Sequence, residues 1–214
     1  MKRLWKHISS FIEEKEDEDM ENMIGGWNVD VTVSKLPQKV ATAMGSLSEK
    51  LIGAEYEPIA YLGSQVTNGV NHAVLAEQIV TTGRDSNNIV VLIFNEKPGA
   101  MDLSLVSIER VVESGPAFGG TVIDATTEIS DEVMDIWDRA FEDRVGLKAT
   151  PFALLGTQMV KGTNYIFAAE VEPVTLNPVK NVVLVVVNDM MQKVSITDML
   201  TNKHEASLGY AFTW

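Results

Sequence analysis

One stretch of this sequence repeats another at a constant offset of 93 residues. The segment Pro58–Glu77 aligns without a gap on the segment Pro151–Glu170. Identical pairs that share this register include Gly53/Gly146, Gly63/Gly156, Gln65/Gln158, Gly69/Gly162, Asn71/Asn164, Glu77/Glu170 and Asn95/Asn188. Because one register holds over several separate segments, the chain is predicted to be an internal duplication whose two copies fold alike.

Each copy shows the same order of patterns. A Gly-Gly pair and a short extended segment precede one amphipathic helix, predicted over residues 37–52 and 130–145, and four strands follow it. Short turns such as Lys161-Gly162 join these strands, which indicates antiparallel pairing. The predicted fold class is α+β: two tandem modules, each with one helix packed on a four- to five-stranded antiparallel sheet. Strand side chains alternate, so one apolar set is expected to face the helix of the second module: Ile166, Ala168, Val182, Leu184 and Val186.

The duplication divides the chain into a leader (1–23), a first module (24–112), a linker (113–117), a second module (118–202) and a tail (203–214). Within the leader, five apolar residues recur at helical spacing: Leu4, Trp5, Ile8, Phe11 and Ile12. An acidic run over residues 13–21 follows them. The pattern indicates a short helix that docks on a neighbouring surface, followed by a solvated connector. A membrane-surface helix is disfavoured because basic residues are few.

Composition excludes several classes of function. The formal net charge of −13 disfavours a nucleic-acid surface, and the absence of cysteine excludes disulfides and a cysteine nucleophile. No apolar run reaches the roughly 18 residues of a membrane span. His7, His72 and His204 fall in unrelated segments, and neither a phosphate loop nor a nucleophile elbow is present. We expect a non-enzymatic protein without cofactor, metal, nucleic acid or membrane partner. A cytoplasmic location is expected, or secretion if a signal peptide has been removed.

One motif in the second module resembles a known family. The segment Gln158-Met159-Val160-Lys161-Gly162, continued as Thr-Asn-Tyr, matches the Gln-x-Val-x-Gly signature of the cystatins, which inhibit papain-like cysteine proteases. The first module has Gln65-Val66-Thr67-Asn68-Gly69, which keeps the glutamine and the glycine but has Thr67 in place of the signature valine. The resemblance extends over both modules and implies tandem cystatin-like modules.

The resemblance also implies a mechanism and a set of site residues. In cystatins a glycine-containing trunk, the motif hairpin and a second hairpin form a wedge that occludes the protease cleft. The residues implied for the second module are Gly119, Gly120, Gln158, Met159, Val160, Lys161, Gly162, Met190 and Met191. A possible second site in the first module comprises Gly25, Gly26, Gln65, Val66, Thr67, Asn68, Gly69 and Pro98.

The second hairpin departs from the family pattern in both modules. It lacks the usual Pro-Trp pair: the first module has Pro98 without a tryptophan, and the second has Met190 and Met191, which are adaptable apolar side chains. We therefore expect inhibition to act mainly through the second module.

A purely structural interpretation of the motif stays open. A glycine in a tight hairpin serves folding whether or not a partner binds, and Gln65 and Gln158 can cap their turns internally. The alternative function is a non-inhibitory binding or self-assembly protein of cystatin-like fold, such as a homodimer that pairs through its sheet edges.

Overall fold

A computed structural model describes residues 25–200 of the chain, apart from residues 34, 52, 82–85 and 116–118. The predicted leader helix, the acidic run, the tail and two of the three histidines lie outside the described residues. Below, copy one denotes residues 24–112 and copy two residues 118–202.

A strand, a helix and four further strands follow one another twice along the described part of the chain. Copy one contains β1 (Trp27–Thr32), α1 (Gln38–Lys50), β2 (Ala54–Thr67), β3 (Gly69–Val80), β4 (Ser86–Glu96) and β5 (Ser104–Glu113, which ends one residue beyond this copy). Copy two contains β6 (Thr121–Thr126), α2 (Asp131–Phe141), β7 (Leu147–Val160), β8 (Gly162–Pro173), β9 (Asn181–Asn188) and β10 (Val194–Asp198). The strands form two antiparallel sheets, ordered β1-β2-β3-β4-β5 and β10-β9-β8-β7-β6.

The two helices start differently. Ser130 caps α2, and its side-chain oxygen accepts a hydrogen bond from the backbone N–H of Val133 at 3.4 Å. Asp131 and Glu132 occupy the first turn of α2, where the helix dipole favours negative charge. By contrast, α1 follows Pro37 and has no side-chain cap. Local sequence therefore stabilises α2 more than α1, and α1 depends more on its packing.

The predicted α+β class is wrong, because the described residues form a mostly β structure. Ten strands in two five-stranded sheets account for most of them, with only two helices of 13 and 11 residues. The prediction treated each helix and its sheet as a separate two-layer module. Instead the sheets pack face to face, so the centre of the molecule is a β-sandwich and each helix covers one outer face.

Three apolar clusters define these layers. The central cluster joins the two copies, with seven buried residues from each: Ala60, Leu62, Ala73, Leu75, Ile89, Val91 and Val112, with Ala153, Leu155, Ile166, Ala168, Val182, Met199 and Leu200. The outer clusters contain α1 on the first sheet and α2 on the second. Residues at equivalent positions of the repeat, such as Leu62 and Leu155, therefore meet in one shared core.

The side chains predicted to face α2 face the opposite way. Ile166, Ala168 and Val182 are buried in the central cluster, and Leu184 and Val186 pack against it. The strand residues that contact α2 have the other parity, including Phe167, Val183 and Val185. The prediction failed because both faces of β8 and β9 are apolar and buried, so alternation does not tell which face meets the helix.

Candidate functional site

Three segments of copy two meet at one end of the second sheet. They are the arm at Gly119 and Gly120, the β7–β8 hairpin, and the β9–β10 hairpin. The arm is held by Gln158, whose Nε2 donates to the carbonyl oxygen of Gly119 at 2.9 Å. The two hairpins are joined at Thr163, whose N–H donates to Asp189 Oδ1 at 2.7 Å and whose carbonyl accepts from Asp189 N–H at 3.0 Å. We call these three segments the copy-two tip.

A ladder of side-chain amides crosses the strands behind this tip. From Gln158, the ladder continues to Asn164, whose Nδ2 donates to Gln158 Oε1 at 2.9 Å. Asn188 Nδ2 donates in turn to Asn164 Oδ1 at 2.9 Å and to the carbonyl of Lys161 at 3.2 Å. Asn188 Oδ1 accepts from the N–H of Met191 at 2.8 Å. One network of amides therefore fixes the arm and both hairpins.

Copy one has the same ladder at the equivalent end of its sheet. Gln65 Nε2 donates to the carbonyl of Gly25 at 2.9 Å, and Asn71 Nδ2 donates to Gln65 Oε1 at 3.1 Å. Asn95 Nδ2 completes the row by donating to Asn71 Oδ1 at 2.8 Å. The side chains of Gln65 and Asn95 are buried, so their amide groups need these partners. This network explains the identical amide residues of the repeat, and the motif glutamine has a structural role in both copies.

The hairpin glycines also have a structural role. Gly69 and Gly162 have φ of +107° and +81°, a region that favours glycine. A Cβ atom on Gly162 would lie 2.5 Å from Asp189 Oδ1 and 2.7 Å from Met190 Cβ, and one on Gly69 would clash with the backbone carbonyl of Glu96. Each glycine thus allows the first hairpin to pack closely against the second.

Once the polar groups are paired, the copy-two tip presents apolar side chains to solvent. Met159, Val160, Met190 and Met191 are 78, 43, 63 and 54% exposed. The side chain of Lys161 is also exposed, whereas Gly162 is half-buried. All nine residues predicted for this site lie at the tip, but they divide into two groups. Gln158 and the glycines hold the backbone, and the methionines and Val160 form the outer surface.

The copy-one tip is more polar. Gly25, Gly26, Val66, Thr67, Asn68 and Pro98 are exposed around the buried side chain of Gln65. Thr67 and Asn68 occupy the hairpin end, where copy two has Val160 and Lys161. Sequence reasoning missed Met101, which follows the β4–β5 turn and is 90% exposed. The sequence signal that could have identified Met101 is its position just after the Pro98-Gly99 turn.

A second polar group joins α1 to the strands near the copy-one tip. His72 is on β3, and its Nδ1 lies 3.0 Å from the hydroxyl of Tyr61. Its Nε2 lies 3.4 Å from Glu96 Oε2, and Glu96 also pairs with Lys39 of α1. The hydrogen bond from Lys39 lowers the pKa of the Glu96 carboxyl, and burial raises the pKa of Tyr61. The group links α1 to the second hairpin of copy one.

No group of three or more His, Cys, Asp or Glu side chains among the described residues is arranged to hold a metal ion. Neither α1 nor α2 is long and apolar enough to cross a membrane.

Comparison of the chain with protein-family models, with curated proteins and with solved structures finds no match.

Proposed function

We propose that this chain inhibits papain-like cysteine proteases by inserting the copy-two tip into the active-site cleft. The observation that carries the proposal is the joining of three segments into one surface with four exposed apolar side chains. The ladder restrains this surface before binding, so little conformational entropy would be lost on association. The resemblance of residues 158–162 to the cystatin motif supplies the class of protease.

Copy two is the better candidate for protease contact. Desolvating Thr67 and Asn68 at the copy-one tip without new partners would cost about 1–3 kcal/mol each. Val160 and the methionines of copy two lose no such hydrogen bonds with water. The proposal includes a cytoplasmic location, which is consistent with the absence of cysteine.

Titration of a papain-type protease with the full chain tests the proposal. Val160→Thr gives copy two the residue that copy one has, and it should weaken inhibition about tenfold, equivalent to about 1.4 kcal/mol. Both Val160 and Thr67 are exposed, so this variant and the matched control Thr67→Val should leave the unfolding temperature unchanged. The control should retain wild-type inhibition. Absence of inhibition by the wild-type chain across several papain-like enzymes would refute the proposal.

A second candidate function is self-assembly through β5. This strand forms one edge of the first sheet, and Val106 on it is 58% exposed. An open edge with exposed apolar residues favours strand pairing with another chain. Sedimentation at increasing protein concentration tests this candidate. A homodimer that dissociates on Val106→Lys would support it, and a monomer at all concentrations would refute it.

A further inference from the structure

α1 covers only part of its side of the first sheet. Its buried residues pack on β2, β3 and β4, and the same cluster contains no buried residue of β5. On β5, Leu105 and Ile108 lie opposite Phe94 and Leu92, so they are on the α1 side, yet they are 38% and 37% exposed. Five strands span about 19 Å, whereas one helix is about 10 Å wide. There is room for a second helix beside α1.

A groove marks this uncovered area. It has a volume of about 270 Å³ and runs along α1, past residues spaced one turn apart at Gln38, Thr42, Ser46 and Lys50. Apolar residues of α1, of β4 and of the segment from Met101 to β5 contribute to its lining: Ala43, Leu47, Phe94, Met101, Leu103 and Leu105. The shape and lining of this α1–β5 groove suit an amphipathic helix.

Copy two lacks the equivalent of this uncovered surface. Its edge strand β10 has 5 residues, against 10 in β5. Val194 is buried in the α2 cluster, and Ile196 packs against that cluster. The open groove is therefore a property of copy one and not of the repeated fold.

We propose that the α1–β5 groove binds residues 4–12 of the same chain, packed as a helix alongside α1. These residues carry the apolar stripe Leu4, Trp5, Ile8, Phe11 and Ile12. Nine helical residues are about 13 Å long and α1 is about 20 Å long, so the segment fits within the groove. Its apolar stripe would cover Leu105 and Ile108 and complete the outer layer of the first sheet.

Chain length and charge favour this occupant. The described chain starts at Gly25, which bonds to Val66 at the copy-one tip. Met101 and Leu105, beside the second hairpin of copy one, place the mouth of the groove at the same end of the sheet. Residues 13–23 can reach about 36 Å when extended, which exceeds the width of the sheet. They are strongly acidic, and the groove lining carries two basic residues, Lys50 and Lys39, against one acidic residue, Asp102. Lys39 also pairs with Glu96, so Lys50 is the main positive charge available to them.

The lack of cysteine allows a direct test on the full chain. Ser46→Cys places a single thiol in the groove. The control is Ser195→Cys, at an exposed position of β10. We expect a soluble disulfide reagent to modify the groove thiol at least tenfold more slowly than the control thiol. Adding Ile8→Glu and Phe11→Glu should raise the rate for the Ser46→Cys thiol at least tenfold. Adding Ser10→Glu, on the opposite side of the proposed leader helix, should leave the modification rate of the Ser46→Cys thiol low. Thr42→Cys, one turn earlier, provides an independent thiol if Ser46→Cys does not fold.

Two results would overturn the proposal. One is a groove thiol whose modification rate is unchanged by Ile8→Glu and Phe11→Glu. The other is protection that disappears on dilution, because the occupant would then come from a second molecule. Slow modification that is independent of protein concentration and is relieved by the paired leader substitutions supports binding of the chain's own leader.

Discussion

Gln158 donates a hydrogen bond from its side-chain nitrogen to the carbonyl oxygen of Gly119, and the two atoms lie 2.9 Å apart. This bond spans 39 residues of sequence and fastens the arm of copy two to its first hairpin. Gln65 makes the same bond to Gly25 in copy one, also at 2.9 Å. The glutamine of the motif thus positions the tip, and the neighbouring apolar residues remain free for contact.

Removing the two glutamines should have different effects. Gln65→Ala should lower the free energy of unfolding by about 1–3 kcal/mol, because Gln65 is buried and its loss removes the bonds to Asn71 Nδ2 and to the carbonyl oxygen of Gly25. Gln158→Ala should cost less stability because Gln158 is only half-buried, and water can replace the lost bonds. Urea denaturation measures both. Equal losses in the two variants would contradict this assignment.

Inhibition should respond in the reverse order. Gln158→Ala frees the arm at Gly119, and the arm must then be ordered on binding. In a titration of papain, this variant should therefore inhibit about tenfold more weakly than the wild-type chain under the proposed function. Gln65→Ala should leave inhibition unchanged as long as the chain is folded. A Gln158→Ala variant that inhibits as well as wild type would show that the arm does not contribute.

Substitution of the hairpin glycines should destabilise the chain even with a small side chain. Gly162→Ala and Gly69→Ala each introduce a Cβ at a positive φ and against the second hairpin, at a cost of about 1–3 kcal/mol. Gly69→Ala should be the worse, since its Cβ would lie closer to the backbone carbonyl oxygen of Glu96 than a Cβ on Gly162 would lie to either Asp189 or Met190. Gly45→Ala, on α1 with open space around it, is the control and should not destabilise. Thermal unfolding measures all three. A Gly69→Ala variant as stable as wild type would be inconsistent with the close approach of the hairpins.

The shared core predicts that the two copies unfold together. Leu62 and Leu155 are fully buried in the same cluster, so either Leu→Ala change should lower the unfolding free energy by about 2–5 kcal/mol. In each variant, scanning calorimetry should show one transition at a lower temperature, with equal calorimetric and van't Hoff enthalpies. Two transitions, of which Leu155→Ala shifted only one, would mean that the sheets fold independently.

The repeated glutamates Glu77 and Glu170 have opposite surroundings. Burial raises the pKa of Glu77, and the charges of Glu57, opposite it on β2, and Asp124 on β6 add to this shift, against a hydrogen bond from Asn87. Glu170 instead pairs with Lys180 at 2.8 Å. Glu77 therefore binds its proton more tightly in the folded chain than in the unfolded chain.

The pH dependence follows from that direction. The contribution of Glu77 to stability falls as pH rises from the ordinary glutamate pKa through the raised folded value, and it stays low above that value. Glu77→Gln should therefore raise the unfolding free energy near neutral pH, by less than about 1 kcal/mol after solvent screening, and should have no effect at about pH 3. Glu170→Gln should not stabilise at neutral pH. Thermal melts at both pH values test this, and a neutral-pH loss of stability in Glu77→Gln would contradict it.

Local sequence predicted the positions of the elements but not their layers. Helical periodicity and terminal glycines placed α1 and α2 within a few residues, because such signals act over one or two turns. The face-to-face packing of the sheets depends on contacts between distant residues such as Leu62 and Leu155. The unbroken apolar runs in β4 and β9 did indicate that a layer covers each face of the sheet, since a strand that is apolar on both faces is buried on both faces.

The sequence predicted which residues lie together at the copy-two tip, but it did not predict what each of them does there. The repeat singled out Gln158, Asn164 and Asn188 through their partners in copy one, but an offset does not show that their amides bond in a row. That row depends on three adjacent strands lying in one register. Met101 was missed because its exposure depends on the path of the β4–β5 turn.

The back-to-back sheets bear on the origin of the duplication. A single copy would expose a face that carries Leu62, Leu75 and Ile89, and a second identical copy provides the complementary surface. Such a chain would be most stable as a symmetric homodimer. Joining two copies through a short connection turns that association into an intramolecular one, with an effective concentration in the millimolar range.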